Sequence, residues 1–333
     1  MPSSEVHTFT DPDAYHAAIR DSHAEGVITG RGDFRAELTA VRLYRLSLQR
    51  IVETLPRIAY SAIDPNVLAV IFPIGPDQQA YISGVELSSG EIAVFRAGSE
   101  GYNRNLTARR WGSIALAHED VAAAGQAIIG RELTASPVTR RIKPPSALLL
   151  RLLNLHEAAG QLAKTAPEIL LKAELARAMD QALVEAMISC LAGGDPVEVR
   201  SAHRHHAMVM RRLERALQAN SEGPLYMAEL CAAAGVSYRT LRICCQEHLG
   251  MGPKRYLLLR RMHLAWRALR QADPATTTVT EIATDYGFWE LGRFSVAYRS
   301  FFGESPSATL RRPPDDPKPK EITGSPWNFT KSA

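Results

Sequence analysis

The chain has 333 residues, 46% of them hydrophobic, which suffices for two domains with separate cores and excludes a mostly disordered protein. Its net charge of +4 is unevenly placed: residues 201–312 carry 16 Arg or Lys against 9 Asp or Glu, whereas the remainder carries 23 against 26. The basic surplus is C-terminal and mostly arginine, which suits contact with phosphate. Charge alone leaves a merely solvated basic surface equally open.

Cysteine spacing and hydropathy exclude several further classes. The cysteines are Cys190, Cys231, Cys244 and Cys245. They form no CxxC pair, so neither a disulfide scaffold nor a zinc finger is supported. The Cys244-Cys245 pair leaves a redox switch open, although buried unreactive thiols are favoured. The first thirty residues lack the apolar stretch of a secretory signal, and the longest apolar run, residues 67–74, is too short to span a bilayer. We expect a cytoplasmic protein without a membrane partner.

The N-terminal half is predicted to begin with a short helix at residues 11–22, since Asp11 can cap it and Pro12 suits the first helical position. Between residues 34 and 133, short β-rich runs alternate with Gly, Pro and Ser turns. The predicted strands are 36–48, 67–72, 80–87, 91–97 and 112–117. Their spacing predicts a β-sandwich or small barrel.

Two helical stretches follow Pro144-Pro145, at residues 146–164 and 167–191. The second carries an apolar stripe at helical spacing, made of Leu171, Leu175, Met179, Leu183, Met187 and Leu191. The stripe fits either packing within the chain, which is favoured, or a homodimer interface. Residues 193–196, Gly-Gly-Asp-Pro, are predicted to form a linker.

An internal repeat organises the C-terminal third of the chain. The matching pairs, 53 positions apart, are Leu241 and Phe294, Gly250 and Gly303, and Pro253 and Pro306. Upstream the offset is 52, as between Gly235 and Gly287. One residue has therefore been added in the second copy.

Each copy meets the requirements of a helix-turn-helix. In the first, helices at 227–234 and 238–248 are joined by a turn in which Gly235 can adopt a positive φ and Ser237 can cap the second helix. In the second, helices at 279–286 and 290–302 join at Gly287. A predicted helix at 253–271 would set their separation, about 34 Å if both units enter the major groove of one duplex.

The motifs of this region form a recognisable pattern. They are Glu229-Leu230, Ala234-Gly235-Val236-Ser237, Leu241, His248-Leu249-Gly250 and Pro253, then Tyr286-Gly287-Phe288, Arg293-Phe294-Ser295 and Phe301-Phe302-Gly303-Glu304-Ser305-Pro306. Over about a hundred residues the pattern resembles the DNA-binding domain of the AraC/XylS family of bacterial regulators. Cys244-Cys245 departs from the apolar-phenylalanine pair of that family, and is expected to loosen the packing of the first recognition helix without changing the fold.

The early, exposed positions of each second helix are expected to face base edges. In the first unit they are Tyr238, Arg239, Arg242 and Gln246. In the second they are Trp289, Glu290, Leu291, Arg293 and Val296, of which Trp289, Glu290 and Arg293 are the predicted DNA contacts. Arginine pairs with guanine and glutamine with adenine. Arg239 and Arg242 are therefore the predicted base readers, with Gln246 next. Arg293 is predicted to contact a base or a phosphate, and Trp289 either packs on the backbone or shields the turn. Ordinary surface charge is the alternative for each arginine.

The resemblance implies a cupin-like sensor domain that binds a small-molecule effector, and activation of transcription through contact with RNA polymerase. Candidate ligands for an anionic effector are Arg57, Arg96, Tyr102 and Arg104. Two alternatives stay open: an effector-independent DNA-binding factor, and a metal-dependent cupin enzyme. The enzyme is disfavoured, because the β-rich region offers only His118-Glu119-Asp120, without paired histidines.

A second histidine-rich segment, His203-Arg204-His205-His206, is predicted to be a helix cap or solvated rather than a metal site. No cofactor, metal or catalytic residue is predicted.

The sequence thus predicts an α+β multi-domain protein whose partners are double-stranded DNA, RNA polymerase, an effector and a second copy of the chain. The predicted parts are a leader with a short helix (1–30), a β-rich cupin-like sensor domain (31–135), a helical dimerisation or linker region (136–200), an all-α tandem helix-turn-helix domain (201–312) and a disordered tail (313–333).

Overall fold

The computed structural model describes residues 1–75, 79–133, 139–197, 201–220 and 226–312; the predicted disordered tail lies outside this part. The strands are β1 (Ser3–Phe9), β2 (Ser22–Ile28), β3 (Ala36–Arg42), β4 (Leu46–Glu53), β5 (Arg57–Ile63), β6 (Val67–Pro73), β7 (Ala80–Ile82), β8 (Val85–Leu87), β9 (Ile92–Phe95), β10 (Glu100–Asn105), β11 (Arg109–Ala117), β12 (Arg140–Lys143) and β13 (Asp195–Val197). The helices are α1 (Pro12–Ala18), α2 (His118–Ile129), α3 (Ser146–Thr165), α4 (Pro167–Leu170), α5 (Ala173–Gly193), α6 (Ser201–Ala219), α7 (Met227–Ala234), α8 (Tyr238–Leu249), α9 (Pro253–Gln271), α10 (Val279–Asp285), α11 (Leu291–Phe302) and α12 (Pro306–Arg311).

The β-rich region forms two antiparallel sheets. Sheet A has the strand order β1-β3-β4-β11-β6-β9-β12-β13, and sheet B has the order β2-β5-β10-β7-β8. Side chains alternate between the two faces of each strand, so each sheet presents one face to the other sheet and one outward. The chain is thus an α+β protein with a β-rich N-terminal part and a helical C-terminal part, as the sequence predicts.

Several strands lie where the sequence predicts none. The predicted leader supplies two of them: β1 pairs with β3, and β2 pairs with β5. Both are edge strands whose exposed positions carry His and Glu, which masks the apolar alternation. β5 and β10 were likewise not expected, and the predicted linker at 193–196 ends in β13, which pairs with β12. These strands gain their stability from pairing across the sheet rather than from their own sequence. Residues 118–129, expected to be part of the β-rich region, form α2.

The predicted helices of the C-terminal region match the structure closely. Helices α7 and α9 have the predicted bounds, and α8 extends the prediction by one residue. In the second copy, α10 ends at Asp285 and α11 begins at Leu291, each one residue inside the prediction. Helical periodicity predicts these helices because each of them buries a regular stripe of apolar side chains.

Four apolar clusters fill the layers between these elements. Two lie between the sheets, one around Tyr15, Leu38 and Trp111 and one around Ile82 and Phe95. A third covers the outer face of sheet A with α2, α3 and α5. The fourth covers the outer face of sheet B, where Ile58, Tyr60 and Tyr102 pack with α6, α7, α8 and the start of α9.

The described chain divides into two compact units. The first comprises residues 1–261, so it includes the sheets and the first helix-turn-helix, and the second begins at Met262. The second unit has its own core, in which Leu269, Ile282, Phe294 and Tyr298 are buried.

The stripe on α5 packs inside the chain. Leu183 and Met187 are completely buried in the cluster on sheet A, and Met179 and Leu191 pack against its edge. Leu171 is exposed. Packing within the chain, the favoured alternative, thus accounts for most of the stripe.

A neutral histidine is enclosed between α3 and sheet A. His156 is completely buried, its Nδ1 lies 3.1 Å from Arg50 Nη1, and its ring packs edge-on against Phe72. Gly112 makes room for it, since a Cβ there would lie 2.6 Å from the imidazole. Burial, together with repulsion from Arg50, lowers the pKa of His156 to about 3.

This histidine should make stability depend on pH. In the unfolded chain its pKa is about 6.5, so below that pH the unfolded state takes up a proton that the folded state refuses until about pH 3. The stabilisation present at neutral pH is therefore lost as pH falls, by about 1.4 kcal/mol per pH unit. His156→Gln, which does not titrate, should show a correspondingly shallower loss than wild type in urea denaturation at pH 7 and pH 5.5. The exposed His205→Gln is the matched control, and equal pH dependence in wild type and His156→Gln would contradict the assignment.

Candidate nucleic-acid interface

The first helix-turn-helix is closed by local hydrogen bonds. Gly235 ends α7 with φ of 70°, a conformation that suits glycine. The Ser237 hydroxyl then accepts a hydrogen bond from the Thr240 amide at 3.2 Å, capping α8 as predicted. Leu230, Ala234 and Leu241 are fully buried between the helices. The turn chemistry therefore fixes the angle at which α8 leaves α7.

The outer side of α8 is polar and accessible. Tyr238, Arg239, Arg242 and Gln246 are all exposed, and we call these four residues the first reading face. No ion pair within the described residues holds Arg239 or Arg242. The Gln246 amide donates to the Gly250 carbonyl at 3.2 Å. Both arginines are thus available to an external acceptor.

The corresponding side of α11 is different in chemistry. We call Trp289, Glu290, Leu291, Arg293 and Val296 the second reading face. All five are exposed, Trp289 and Val296 by more than 70%. The Arg293 Nε lies 2.9 Å from Glu290 Oε2, so the cation there already has a carboxylate neighbour. The second reading face is therefore mostly apolar and nearly neutral.

The Cys244-Cys245 pair lies on the buried side of α8. Both side chains are completely buried, and neither forms a disulfide. Burial raises the pKa of Cys244 to about 11 and that of Cys245 to about 12. Because the thiolate is the reactive form, these shifts favour unreactive packing thiols over a redox switch.

A buried polar cluster joins sheet B to the first helix-turn-helix. Glu214 on α6 has no exposed surface, accepts a hydrogen bond from the Tyr102 hydroxyl, and pairs with Arg260 at 2.9 Å. Tyr256 on α9 donates to the Tyr102 hydroxyl at 3.4 Å. We call these four residues the junction. Burial raises the pKa of Glu214, an effect that Arg260 opposes.

The four predicted effector ligands do not converge on one site. Arg57 faces the space between the sheets, whereas Tyr102 belongs to the junction. Arg104 lies with its guanidinium 3.7 Å from the centre of the Tyr81 ring, near Gly250 at the end of α8. Arg96 lines a separate cleft on the outside. Only Arg57 is placed as a ligand in an interior cavity.

The interior cavity lies between the two sheets, has a volume of about 40 Å³ and is partly open to solvent. It is lined mainly by apolar side chains, and its polar lining residues are Ser22, Arg57, Ser61, Asn103 and Arg109. The sequence analysis missed Arg109, Ser61 and Asn103. These residues lie at alternate positions of β5, β10 and β11, which point to the inner face of each sheet. The pattern can be recognised only once the strands and their inner faces are known.

The two cavity arginines differ in their partners. Arg57 donates from Nε to Glu53 at 2.8 Å, and although burial opposes the charge, attraction to Glu53 raises the pKa of Arg57. Arg109 Nε is buried and has no hydrogen-bond partner within the described ranges. Burial lowers the pKa of Arg109 to about 10, since Glu53 compensates only partly. Arg109 therefore gains most from an anionic neighbour.

The histidine-rich segments hold no recognisable metal site. His118 begins α2. His203 and His206 lie on α6, and both contact Glu247 of α8, at 3.1 and 2.7 Å, rather than forming a helix cap or a solvated segment. Within the described ranges, no group of three His, Cys, Asp or Glu side chains is placed to hold a metal ion. Over those same ranges, no helix has the length and apolar character needed to span a membrane.

Comparison with known proteins finds related domains for the C-terminal part of the chain. A model described as "Helix-turn-helix domain" matches residues 230–312. A probable thc operon regulatory protein of Rhodococcus erythropolis is 44% identical over 98 residues, which cover 29% of this chain and 30% of that protein. The XylDLEGF operon transcriptional activator 1 of Pseudomonas putida is 37% identical over 101 residues, 30% of each chain. The chain thus spans less than a third of the length of these relatives.

Two solved structures are also similar to parts of this chain. A probable AraC family transcriptional regulator from Rhodopseudomonas palustris is 36% identical and covers 31% of this chain and 94% of that one, with a TM-score of 0.28. The AraC-like transcriptional activator CuxR is 15% identical over 80% of this chain and 96% of its own, with a TM-score of 0.41. At residues 230–312 the chain therefore carries a helix-turn-helix domain of the AraC/XylS type, whose relatives are transcription regulators.

Proposed function

We propose that the protein is a sequence-specific transcription regulator that binds promoter DNA through both helix-turn-helix units. The observation that carries this proposal is the first reading face, where two exposed arginines without a carboxylate partner begin a recognition helix. Early side chains of such a helix meet base edges in the major groove. The same residue range matches regulators of known operons. The match covers under a third of those proteins, so it supports DNA binding by this region and not their other activities.

The two helix-turn-helix units differ in the side chains that they offer to DNA bases. Arg239 and Arg242 can each donate two hydrogen bonds to a guanine. On the second reading face Arg293 is the one arginine, and Glu290 lies beside it. We infer that the first unit selects sequence, whereas the second anchors the protein to the DNA backbone and presents Trp289 and Val296 to RNA polymerase.

We infer that the sensor domain controls this activity by binding a small-molecule effector in the interior cavity. Two arginines and no carboxylate line that cavity, and Arg109 Nε is buried without a partner. An anionic effector would satisfy this donor.

Several features of the chain stay predictions: the cupin-like character of the domain, the boundaries at 31–135, 136–200 and 201–312, and activation of transcription rather than repression. So do the cytoplasmic location and the homodimer, for which exposed Leu150 and Leu171 offer a surface.

Loss of one predicted base reader should weaken specific binding. Arg239→Ala should reduce affinity for the cognate site by about 1–3 kcal/mol, or about 5- to 150-fold, and relax preference at one base pair. Binding titrations at fixed salt against a panel of site variants measure both effects. The control is Arg131→Ala, which removes an exposed charge from the loop that follows α2. Unchanged affinity together with unchanged preference in Arg239→Ala would remove Arg239 from the interface.

The asymmetry of the two units predicts a difference between half-sites. Scrambling the half-site under α8 should weaken binding more than scrambling the one under α11, because base contacts specify sequence and backbone contacts do not. Gel-shift or anisotropy titrations with the two scrambled duplexes provide the measurement. Equal losses would show that both units read bases.

Occupation of the interior cavity should stabilise the protein. In a thermal-shift screen of small organic acids, an effector at about 100 times its Kd adds about 2.7 kcal/mol to the folded state. Ser61→Leu places a larger side chain in the cavity and should abolish the shift, whereas Ser89→Leu, in an exposed turn, should preserve it. A shift that survives Ser61→Leu unchanged would place the effector elsewhere. The absence of any shift would favour the effector-independent regulator.

A further inference from the structure

A second concave site lies on the outside of sheet B, against α6. Its walls come from the β7–β8 hairpin, the turn between β9 and β10, strand β12 and the first half of α6. The space has a volume of about 290 Å³ and is open to solvent on one side. We call it the linker cleft and define it by Arg96, Ser99, Glu100, Arg141, Arg204 and Arg211. It shares only Ile82 with the lining of the interior cavity.

The linker cleft carries an uncompensated positive charge. Its carboxylate, Glu100, already pairs with Arg215 at 2.7 Å. Arg141 pairs with Glu91 at 3.2 Å. Within the described part of the chain, Arg96, Arg204 and Arg211 have no carboxylate partner. Among the described residues, three guanidinium groups therefore line one cleft without a carboxylate beside them, an arrangement that favours binding of an anion.

One of the arginines is held in place. Arg141 is largely buried, with a side chain 15% exposed, and its Nη1 donates to the Glu86 carbonyl as well as to Glu91. Its Nε is buried and has no hydrogen-bond partner among the residues that the structure describes. In the adjacent turn, the Ser99 hydroxyl donates to the Arg96 carbonyl at 2.8 Å, which orders the backbone that carries Arg96. The sensor-domain wall is thus preformed.

We propose that the linker cleft binds a small phosphorylated molecule carrying at least two phosphoryl groups. Guanidinium groups present planar pairs of donors that match phosphate oxygens. A ligand bridging Arg96 and Arg141 on the sheet side to Arg204 and Arg211 on α6 would be contacted from both walls. The volume is that of a small-molecule site, and its concave shape does not suit a duplex. The site is separate from the interior cavity, and ligand binding there does not depend on the proposed regulatory function.

Such a ligand would brace α6 against the sensor domain. The same helix carries Glu214 of the junction and packs, through Leu213 and Leu217, into the core of the first helix-turn-helix. Binding in the linker cleft would therefore favour the docked arrangement of that unit by the difference in ligand affinity between docked and undocked states.

Calorimetric titration of the full chain with inorganic pyrophosphate and inorganic phosphate, at constant ionic strength, tests the proposal. Wild type should bind one pyrophosphate per chain, at least about tenfold more tightly than phosphate, because each charged hydrogen bond adds free energy. Arg96→Gln combined with Arg204→Gln should weaken pyrophosphate binding at least about tenfold. Both positions are exposed, so folding should be preserved, and an unchanged melting temperature confirms this.

Two control variants separate the linker cleft from other basic surfaces. Arg31→Gln combined with Arg131→Gln removes the same charge from exposed positions elsewhere and should leave the affinity unchanged. Arg239→Gln, on the first reading face, should also leave it unchanged. Absence of saturable binding, equal weakening in both double variants, or loss in Arg239→Gln alone would each overturn the proposal. A cleft variant that loses DNA affinity and salt dependence while keeping pyrophosphate affinity would also overturn it, by assigning the arginines to the DNA backbone.

Discussion

The first compact unit depends on a buried charge. Glu214 has no exposed surface, and the Tyr102 hydroxyl and the Arg260 guanidinium satisfy its carboxylate from a strand and a helix far apart in sequence. Removing one partner of such a pair leaves an unpaired buried charge and costs about 3–5 kcal/mol. Because the penalty falls on any arrangement that separates them, sheet B, α6 and α9 hold one another in a single geometry. The first helix-turn-helix is thereby fixed to the sensor domain.

Strands β5 and β10 present two different surfaces within one layer of protein. Their inner positions, including Ser61 and Asn103, line the interior cavity, and these two side chains hydrogen-bond across the strands at 2.9 Å. Their outer positions, including Tyr60 and Tyr102, pack against the first helix-turn-helix. Alternation along a strand makes this inevitable. An effector that moved these strands would act on the junction directly, without a long pathway through the core.

The two helix-turn-helix units differ although they descend from one repeated pattern. Docking buries the inner side of α8 and leaves its arginines exposed, so the first unit combines a fixed position with a polar face. The second helix-turn-helix lies in the separate compact unit that begins at Met262. Its outer face combines Trp289 and Val296 with the ion pair between Arg293 and Glu290. Base recognition needs donors and acceptors, whereas an exposed apolar patch more often meets protein. The chemistry of the faces thus separates roles that the shared fold does not.

The sequence by itself determined the helix-turn-helix repeat, the turn at Gly235, the cap at Ser237 and the exposed arginines, because these depend on spacing within a dozen residues. It also indicated a β-rich domain, but not β1, β2, β5 or β10, whose sequences lack a clear apolar alternation and become strands through pairing with distant partners. For the same reason the sequence did not show that the predicted effector ligands Arg57, Arg96, Tyr102 and Arg104 lie at four separate places. Only the tertiary structure decided which arginines share a cavity, and that Glu214 joins the sensor domain to the first helix-turn-helix, since no local pattern records which face of a strand meets which helix.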